Sequence, residues 1–169
     1  VIDATCHQPQ GLVHRDYHSR NLMVPAGDAP LAVIDFQDAI MGPVAYDAVS
    51  LLKDVYVVWP RPKQLVWLEY YWEHLVREGQ LSEGSWPQFI VWFDLIGLQR
   101  HVKILGVFSR LWLRDDKPSY MRDIPVVIAY VREACLLYRG SQPAVGVFWD
   151  WFEDSIMPTI ERQDWYRPS

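Results

Sequence analysis

The sequence predicts a mainly α-helical domain with a small β-hairpin element near its start, an α+β fold in which helices dominate. In the first third of the chain, short apolar runs alternate with turn residues, which is typical of short strands joined by loops. From residue 43 to residue 157, apolar residues recur at the spacing of amphipathic helices. Half of the 169 residues are hydrophobic, so we expect one domain, residues 1–169, with its own core.

The β element is predicted from three short apolar runs. Residues 11–13 form the first run and lead directly into a polar loop. Met23-Val24 and residues 31–34 flank a segment rich in proline and glycine, so the two runs are expected to pair as a hairpin.

Five helices are predicted after the hairpin. The first begins with Pro43 in its first turn and continues one apolar face to Val58. The third has Ser85 as its N-cap and is expected to bend or break near a glycine before about Leu113. The second, fourth and fifth are expected over about 62–78, 122–139 and 143–156.

The composition excludes several classes of protein and partner. Sixteen basic and twenty-one acidic residues give a net charge of −5, which argues against nucleic acid as the partner. No apolar stretch approaches the ~18 residues that a membrane-spanning helix needs, so no membrane partner is expected. No signal peptide is visible, and Cys6 and Cys135 are expected to be buried free thiols in a cytoplasmic protein.

The residues that could take part in catalysis or metal binding lie in two short segments. In the loop segment 12–24, His14-Arg15-Asp16 is followed by four residues and then by Asn21. In the segment 33–38, an apolar run ends in Asp35-Phe36. This combination resembles the catalytic loop and the metal-binding segment of the protein-kinase-like fold.

The resemblance assigns roles that suit phosphoryl transfer, which needs positioning and charge neutralisation more than covalent chemistry. Asp16 is the candidate base that faces the attacking hydroxyl. Asn21 and Asp35 are the candidate Mg²⁺ ligands, because Mg²⁺ prefers oxygen ligands and needs few from the protein when phosphates supply the rest. ATP is the implied phosphate donor.

Each of these residues also has a purely structural interpretation. Asp16 could cap a turn, and Asp35 could simply end a strand. His14 and His18 could bind zinc together with Asp16, but the flanking pattern is strand and loop and no further ligand cluster is visible. We therefore interpret both histidines as residues that organise the loop.

Departures from the protein kinases indicate a different branch of the fold. Gln37 follows Asp35-Phe36 where protein kinases have glycine, and residues 37–47 lead straight into a predicted helix without an Ala-Pro-Glu segment. This arrangement resembles the aminoglycoside phosphotransferase family, whose members phosphorylate small molecules. In that family an aspartate at the start of the following helix braces the catalytic loop, and Asp47 has that position. Arg15 and Asp38 are further candidates for organising the loop.

Longer strings resemble one subgroup of this family, the bacterial kinases that phosphorylate the anomeric hydroxyl of N-acetylmuramate and N-acetylglucosamine. The resemblance covers about residues 11–140 and includes residues 14–23, 97–106 and 108–111. It implies a small sugar substrate and a cytoplasmic role in peptidoglycan recycling. The alternatives are an aminoglycoside, choline or homoserine kinase of the same superfamily, or a non-catalytic kinase-like binding module.

The resemblance also implies a missing N-terminal lobe. Its phosphate-covering loop, strand lysine and helix glutamate cannot be placed in residues 1–10, the only residues before the loop segment. We therefore expect residues 1–169 to be a kinase-like C-terminal lobe that is inactive alone. Residues 1–6 are expected to end a helix that precedes the loop.

Two cations of the third predicted helix are candidate substrate-binding residues. Arg100 and Lys103 are three residues apart and therefore share one side of that helix. One of them could pair with the lactyl carboxylate of N-acetylmuramate, which N-acetylglucosamine lacks. The alternative is that both form the solvated edge of the helix.

Overall fold

A computed structural model describes residues 6–167, which are mostly helical with two small antiparallel sheets. The predicted fold class is confirmed at this level. The chain divides into two compact units, Val1–Gly97 and Leu98–Ser169. The predicted helix end over residues 1–6 lies almost wholly outside the described residues.

The two sheets of the first unit surround the loop segment. Strand β1 (Gln10–Val13) leads into it, and β2 (Leu22–Met23) pairs antiparallel with β3 (Ala32–Val33) after it. The β2–β3 pair is the predicted hairpin. A further strand, β4 (Ile40–Pro43), pairs antiparallel with β1 and closes the segment.

Strand β4 corrects the prediction that a helix begins at Pro43. Pro43 ends the strand opposite Gln10, and the first helix, α1, begins only at Tyr46. Proline is tolerated there because it sits at the end of a strand in a two-stranded sheet. Helix α1 (Tyr46–Leu52) is also shorter than predicted, so that Val58 lies outside it.

The remaining helices agree more closely with the sequence pattern. They are α2 (Arg61–Arg77), α3 (Trp86–Leu113), α4 (Ile124–Tyr138), α5 (Pro143–Ser155) and the short α6 (Met157–Ile160). Short 3₁₀ turns cover Ser19–Asn21, Glu83–Ser85 and Pro118–Asp123. Helices therefore extend to residue 160, slightly beyond the predicted helical region 43–157.

Helix α3 is not broken at its glycines, contrary to one expected outcome. It runs without interruption through Gly97, where an added Cβ would lie 3.4 Å from Cδ of Lys53. A Cβ at this position would make ordinary van der Waals contact, so the Lys53 side chain does not require a glycine here. Ser85 directly precedes α3, but its hydroxyl donates to the Ser82 carbonyl oxygen and accepts from the Trp72 indole.

The core of the first unit lies among α1, α2 and the first part of α3. Val49, Leu68, Phe89 and Phe93 are fully buried there. Half-buried aromatic and aliphatic side chains of the same helices pack around them. This core fixes the start of α1, the helix that carries Asp47 in its first turn.

The second unit contains the rest of α3 and helices α4 to α6. Its buried residues include Val127, Val131, Trp149 and Cys135. Cys135 is buried as predicted, and burial raises the pKa of its thiol to about 11. Cys6 is exposed, so the prediction that both thiols are buried is wrong for Cys6. Between residues 6 and 167, none of the helices combines the length and apolarity needed to cross a membrane.

Candidate active site

Asp16 and Asn21 lie on one tightly folded loop between β1 and β2. The backbone carbonyl of Asp16 accepts hydrogen bonds from the His18 N–H at 3.0 Å and from Asn21 Nδ2 at 2.9 Å. Because the Asn21 amide nitrogen is used to close the loop, its Oδ1 is the atom left to bind a cation. The side chain of Asp16 is exposed.

Asp35 is attached to this loop through the backbone. The Ile34 N–H donates to the Asn21 carbonyl oxygen at 3.1 Å, and the His14 ring nitrogen Nε2 lies 2.9 Å from the Ile34 carbonyl oxygen. Asp35 follows directly, is exposed, and accepts a hydrogen bond from Gln37 Nε2 at 2.9 Å through Oδ1. The three residues predicted to act together therefore occupy two segments that are hydrogen-bonded to each other.

The backbone of this region is strained at two positions. Arg15 has φ = 77° and Asp35 has φ = 66°, and Asp116 is the one other non-glycine residue with positive φ in the described range 6–167. The left-handed region costs ~1–2 kcal/mol for a residue with a side chain. Such strain persists only where the surroundings enforce it, and it is often found at functional sites.

Asp47 enforces the conformation of the loop. It lies in the first turn of α1, and its carboxylate accepts the His14 N–H at 2.7 Å through Oδ2 and the Arg15 N–H at 3.0 Å through Oδ1. Hydrogen bonds to an ionised carboxylate are stronger than those between neutral groups. Asp47 thus ties the strained loop to a helix that is anchored in the core.

Other side chains tie the loop to the segment after α1. The guanidinium carbon of Arg20 lies 3.4 Å from the ring centroid of Tyr56, and the His18 ring packs edge-on against the same ring. The Ser19 hydroxyl donates to Asp54 at 3.5 Å. These contacts were not expected from the sequence, because nothing in the local pattern links the two segments.

Asp38 contacts the loop through its main chain. Arg15 Nη1 donates to the Asp38 carbonyl oxygen at 3.4 Å, while the Asp38 side chain is exposed. The described contact therefore does not depend on the Asp38 carboxylate.

The residues present suit Mg²⁺ better than zinc. Asn21 and Asp35 offer an amide and a carboxylate oxygen, which are the hard donors that Mg²⁺ prefers, and phosphate oxygens can complete its shell. For zinc, no group of three or more His, Cys, Asp or Glu side chains in the described part of the chain could hold a metal ion. His14 is moreover engaged with the Ile34 carbonyl oxygen.

A buried charge cluster supports the helices behind the loop. Asp94 of α3 is fully buried and binds Lys53 Nζ at 2.8 Å and both terminal nitrogens of Arg61 at 2.9 and 2.7 Å. Burial by itself raises the pKa of Asp94, but hydrogen bonds and charges from Arg61 and Lys53 outweigh it and hold the pKa below its usual value. This cluster was not predicted from the sequence; the lone carboxylate within the apolar run 89–96 could have indicated a buried charge, but not its partners.

Arg100 and Lys103 lie on the part of α3 that belongs to the second unit. Arg100 is half-buried and Lys103 is exposed. His101, which lies between them in the sequence, is buried and its ring stacks on that of Tyr130 with 4.7 Å between the ring centroids. The predicted role of Arg100 and Lys103 in reading a carboxylate stays a prediction.

Comparison with known proteins shows which family and which proteins the chain resembles. Residues 2–83 match the phosphotransferase enzyme family, APH. The matched range contains Asp16, Asn21, Asp35 and Asp47. The resemblance inferred from the loop motifs is therefore confirmed.

Similar proteins cover more of the chain. Three are named N-acetylmuramate/N-acetylglucosamine kinase. The protein of Pseudomonas putida is 43% identical over 133 residues, which are 79% of this chain and 39% of the relative. The protein of Pseudomonas aeruginosa is 40% identical over 134 residues, with the same two shares. That of Neisseria meningitidis is 37% identical over 152 residues, 90% of this chain and 45% of the relative. The chain thus spans less than half the length of these curated relatives.

Proposed function

We propose that the whole protein transfers a phosphoryl group from ATP to the anomeric hydroxyl of an N-acetylated amino sugar, N-acetylmuramate or N-acetylglucosamine. In this proposal residues 1–169 are the kinase-like C-terminal lobe. The family match and the names of the relatives support this reaction class. The sugars named for the relatives are components of peptidoglycan, so we place the reaction in cytoplasmic recycling of the cell wall.

Asp16 is the proposed base. Its exposed carboxylate can accept the proton of the anomeric hydroxyl while it orients that oxygen. This hydroxyl is more acidic than that of a simple alcohol because the ring oxygen withdraws electron density. The reaction therefore does not demand a strongly perturbed carboxylate.

Asn21 and Asp35 are the proposed ligands of Mg²⁺. The bound ion would neutralise charge on the transferring phosphoryl group. The work of the two side chains is to fix their oxygen atoms relative to Asp16. The Asn21–Asp16 and Ile34–Asn21 hydrogen bonds of the loop support that role.

The observation that carries the proposal is the pair of hydrogen bonds from the His14 and Arg15 N–H groups to Asp47. They set the backbone on which Asp16 stands, and phosphoryl transfer depends above all on such positioning. We also propose that the 169 residues alone do not turn over sugar, because no phosphate-covering loop or pairing lysine can be placed in them.

The test uses the whole protein and measures ADP formation that depends on sugar. Asp16→Asn should abolish most turnover and leave nucleotide binding nearly unchanged, whereas Asp35→Asn should weaken Mg²⁺-dependent nucleotide binding. Asp154→Asn is the control, because Asp154 is an exposed aspartate of α5. Interchangeable defects of the first two variants in Mg²⁺ titrations would contradict the assigned roles.

Acceptor specificity is tested with a panel of substrates. Turnover with N-acetylmuramate and N-acetylglucosamine supports the proposal. Turnover confined to choline, homoserine or an aminoglycoside would replace it, and Mg²⁺-independent binding without turnover would indicate a non-catalytic module.

Arg100 and Lys103 are tested on the same two sugars. Arg100→Ala or Lys103→Ala should lower kcat/KM for N-acetylmuramate by about ten- to a hundredfold and spare N-acetylglucosamine, as expected for a lost charge-assisted contact. Equal losses on both sugars, or none, would contradict a role in reading the carboxylate.

A further inference from the structure

A cavity of about 610 Å³ lies beside the catalytic loop in the first unit. This volume is within the ~300–1,000 Å³ typical of small-molecule sites. Tyr17, the residue after Asp16, forms part of its wall together with Asp47 and the α1 residues next to it. Trp59, Trp67 and Tyr70 form another part. The cavity therefore adjoins the residues that position the candidate base.

The lining of this cavity favours a neutral ligand with apolar faces. Five of its nine lining side chains are aromatic and Asp47 is the one charged residue among them. Both oxygens of Asp47 already accept hydrogen bonds from the loop backbone. The Tyr71 hydroxyl donates to the Val44 carbonyl oxygen at 3.0 Å, and burial, followed by the charge of Asp47, raises the pKa of Tyr71. The polar groups of the wall are thus largely committed to the fold.

The ammonium group of Lys63 packs against two of the aromatic rings that line the cavity. Lys63 Nζ lies 4.5 Å from the ring centroid of Trp59 and 5.0 Å from that of Trp67. An aromatic cavity of this kind could otherwise attract a quaternary ammonium group. The Lys63 charge disfavours a second cation there and is compatible with a neutral or anionic ligand.

We propose that this aromatic cavity is the binding site of the acceptor sugar, with the apolar face of the pyranose ring or its acetamido methyl group against Trp67 and Tyr70. Both sugars named for the relatives carry an acetamido group, so a cavity that binds it serves both of them. This inference rests on the proposed function, since it assigns the acceptor of that reaction.

The test compares Trp67→Leu and Tyr70→Ala with Trp151→Leu in the whole protein. Tyr70 is 69% exposed, so its removal should leave the fold intact. Trp151 is an exposed tryptophan of α5 and serves as the matched control. We expect KM for N-acetylglucosamine to rise about tenfold in the first two variants, the order of one lost aromatic contact, with KM for ATP unchanged.

Direct binding is measured by NMR saturation transfer from the protein to the sugar. Saturation of aromatic protons should reach the acetamido methyl protons, and the effect should be weak with glucose, which lacks that group, and in Tyr70→Ala. Preferential binding of choline in the same cavity would overturn the proposal.

The two proposals fail in different ways. If the unmodified protein forms no ADP with any sugar, the proposed function fails, and saturation transfer still decides whether the cavity binds sugar. If it phosphorylates N-acetylglucosamine but Tyr70→Ala and folded Trp67→Leu keep the original KM for the sugar, the aromatic cavity is not the acceptor site. If Trp67→Leu does not fold, Tyr70→Ala decides alone.

Discussion

The strand-and-loop part of the first unit and the helices beside it are stabilised in different ways. In residues 10–43, large apolar side chains face solvent, with Leu12 78% exposed and Phe36 66% exposed. In α1, α2 and the first part of α3, Val49 and Leu68 are fully buried. Within the described residues, the first region therefore buries fewer apolar side chains than the helices do, and its β2–β3 sheet has only two residues in each strand.

This difference in packing indicates that the helical region, and not the loop itself, sets the geometry of the candidate active site. Arg15 and Asp35 hold strained backbone angles in the exposed region, and Asp47 reaches them from the packed region. The candidate residues Asp16 and Asp35 are exposed, while Asp47 from the helical part holds the loop through two hydrogen bonds. Rigid support beneath an exposed loop is a common way to build a functional site.

The largest expected effect concerns the buried cluster of the helical part. Asp94→Ala leaves Lys53 buried without its carboxylate partner, and breaking a buried pair in this way costs ~3–5 kcal/mol. We expect the free energy of unfolding, measured by urea denaturation, to fall by that amount.

Asp150→Ala is the matched control for Asp94→Ala. Asp150 pairs with Arg139 at 3.1 Å, but both side chains are about half exposed, so removal of the pair should cost ~0–1 kcal/mol. Similar losses in the two variants would mean that burial does not govern the contribution of Asp94.

The second prediction concerns Asp47, whose hydrogen bonds link the helical region to the loop. Asp47→Asn replaces one carboxylate oxygen by an NH₂ group that cannot accept the N–H of His14 or Arg15. We expect kcat of the whole protein to fall by ~100-fold, the loss associated with misplaced reacting groups, with a smaller change in KM for ATP.

Hydrogen exchange separates positioning from a general loss of stability. In Asp47→Asn the amides of His14 and Arg15 should exchange faster while core amides of α2 keep their protection. Uniform loss of protection across both regions, or unchanged exchange at the two loop amides, would contradict a specific bracing role.

The third prediction concerns the pH dependence of the buried charge cluster in the helical region. Because the pKa of Asp94 is lower in the folded protein than its unfolded value of ~3.9, this residue stabilises the fold above about pH 4. That contribution is lost as pH falls below 4 through the folded pKa. The difference in unfolding free energy between the unmodified protein and Asp94→Asn should therefore shrink between pH 6 and pH 3. A difference that stays constant or grows on acidification would show that Asp94 is not held ionised by its partners.

Sequence reasoning succeeded where the signal is local. The spacing of Asp16 and Asn21 within one loop, and the position of Asp47 at the start of a helix, can be recognised from neighbouring residues alone. The hairpin and most helix boundaries have the same local character, because turn residues and apolar periodicity mark them.

The features that were missed depend on contacts between distant residues. Strand β4 pairs with a strand about 30 residues earlier, and Pro43 looks locally like the first turn of a helix. Lys53 and Asp94 are 41 residues apart, so their pairing has no local pattern. Trp67 and Tyr70 of α2 line a cavity. The sequence does not reveal this, because an aromatic side chain in an amphipathic helix has the same pattern whether it fills a core or lines a cavity.

The smallest expected effect compares backbone strain inside and outside the candidate site. Asp116 has φ = 51° just after α3, where the Lys117 N–H bonds back to the Leu111 carbonyl oxygen at 2.9 Å, and glycine is the usual residue at such a helix end. Asp116→Gly removes ~1–2 kcal/mol of left-handed strain and loses ~0.5–1 kcal/mol through the greater freedom of the unfolded chain. We expect a net gain of up to about 1 kcal/mol in unfolding free energy, with unchanged activity.

Arg15→Gly relieves similar strain at φ = 77° but should have a different overall effect. The backbone gain is offset by loss of the Arg15 contact with the Asp38 carbonyl oxygen, and glycine lets the residue before Asp16 sample other conformations. Unfolding free energy should therefore change by less than about 1 kcal/mol while kcat of the whole protein falls. If Arg15→Gly and Asp116→Gly both leave kcat unchanged, the strained backbone at Arg15 serves the fold and not the chemistry. If only Arg15→Gly lowers kcat, the strain at the loop is part of how Asp16 is positioned.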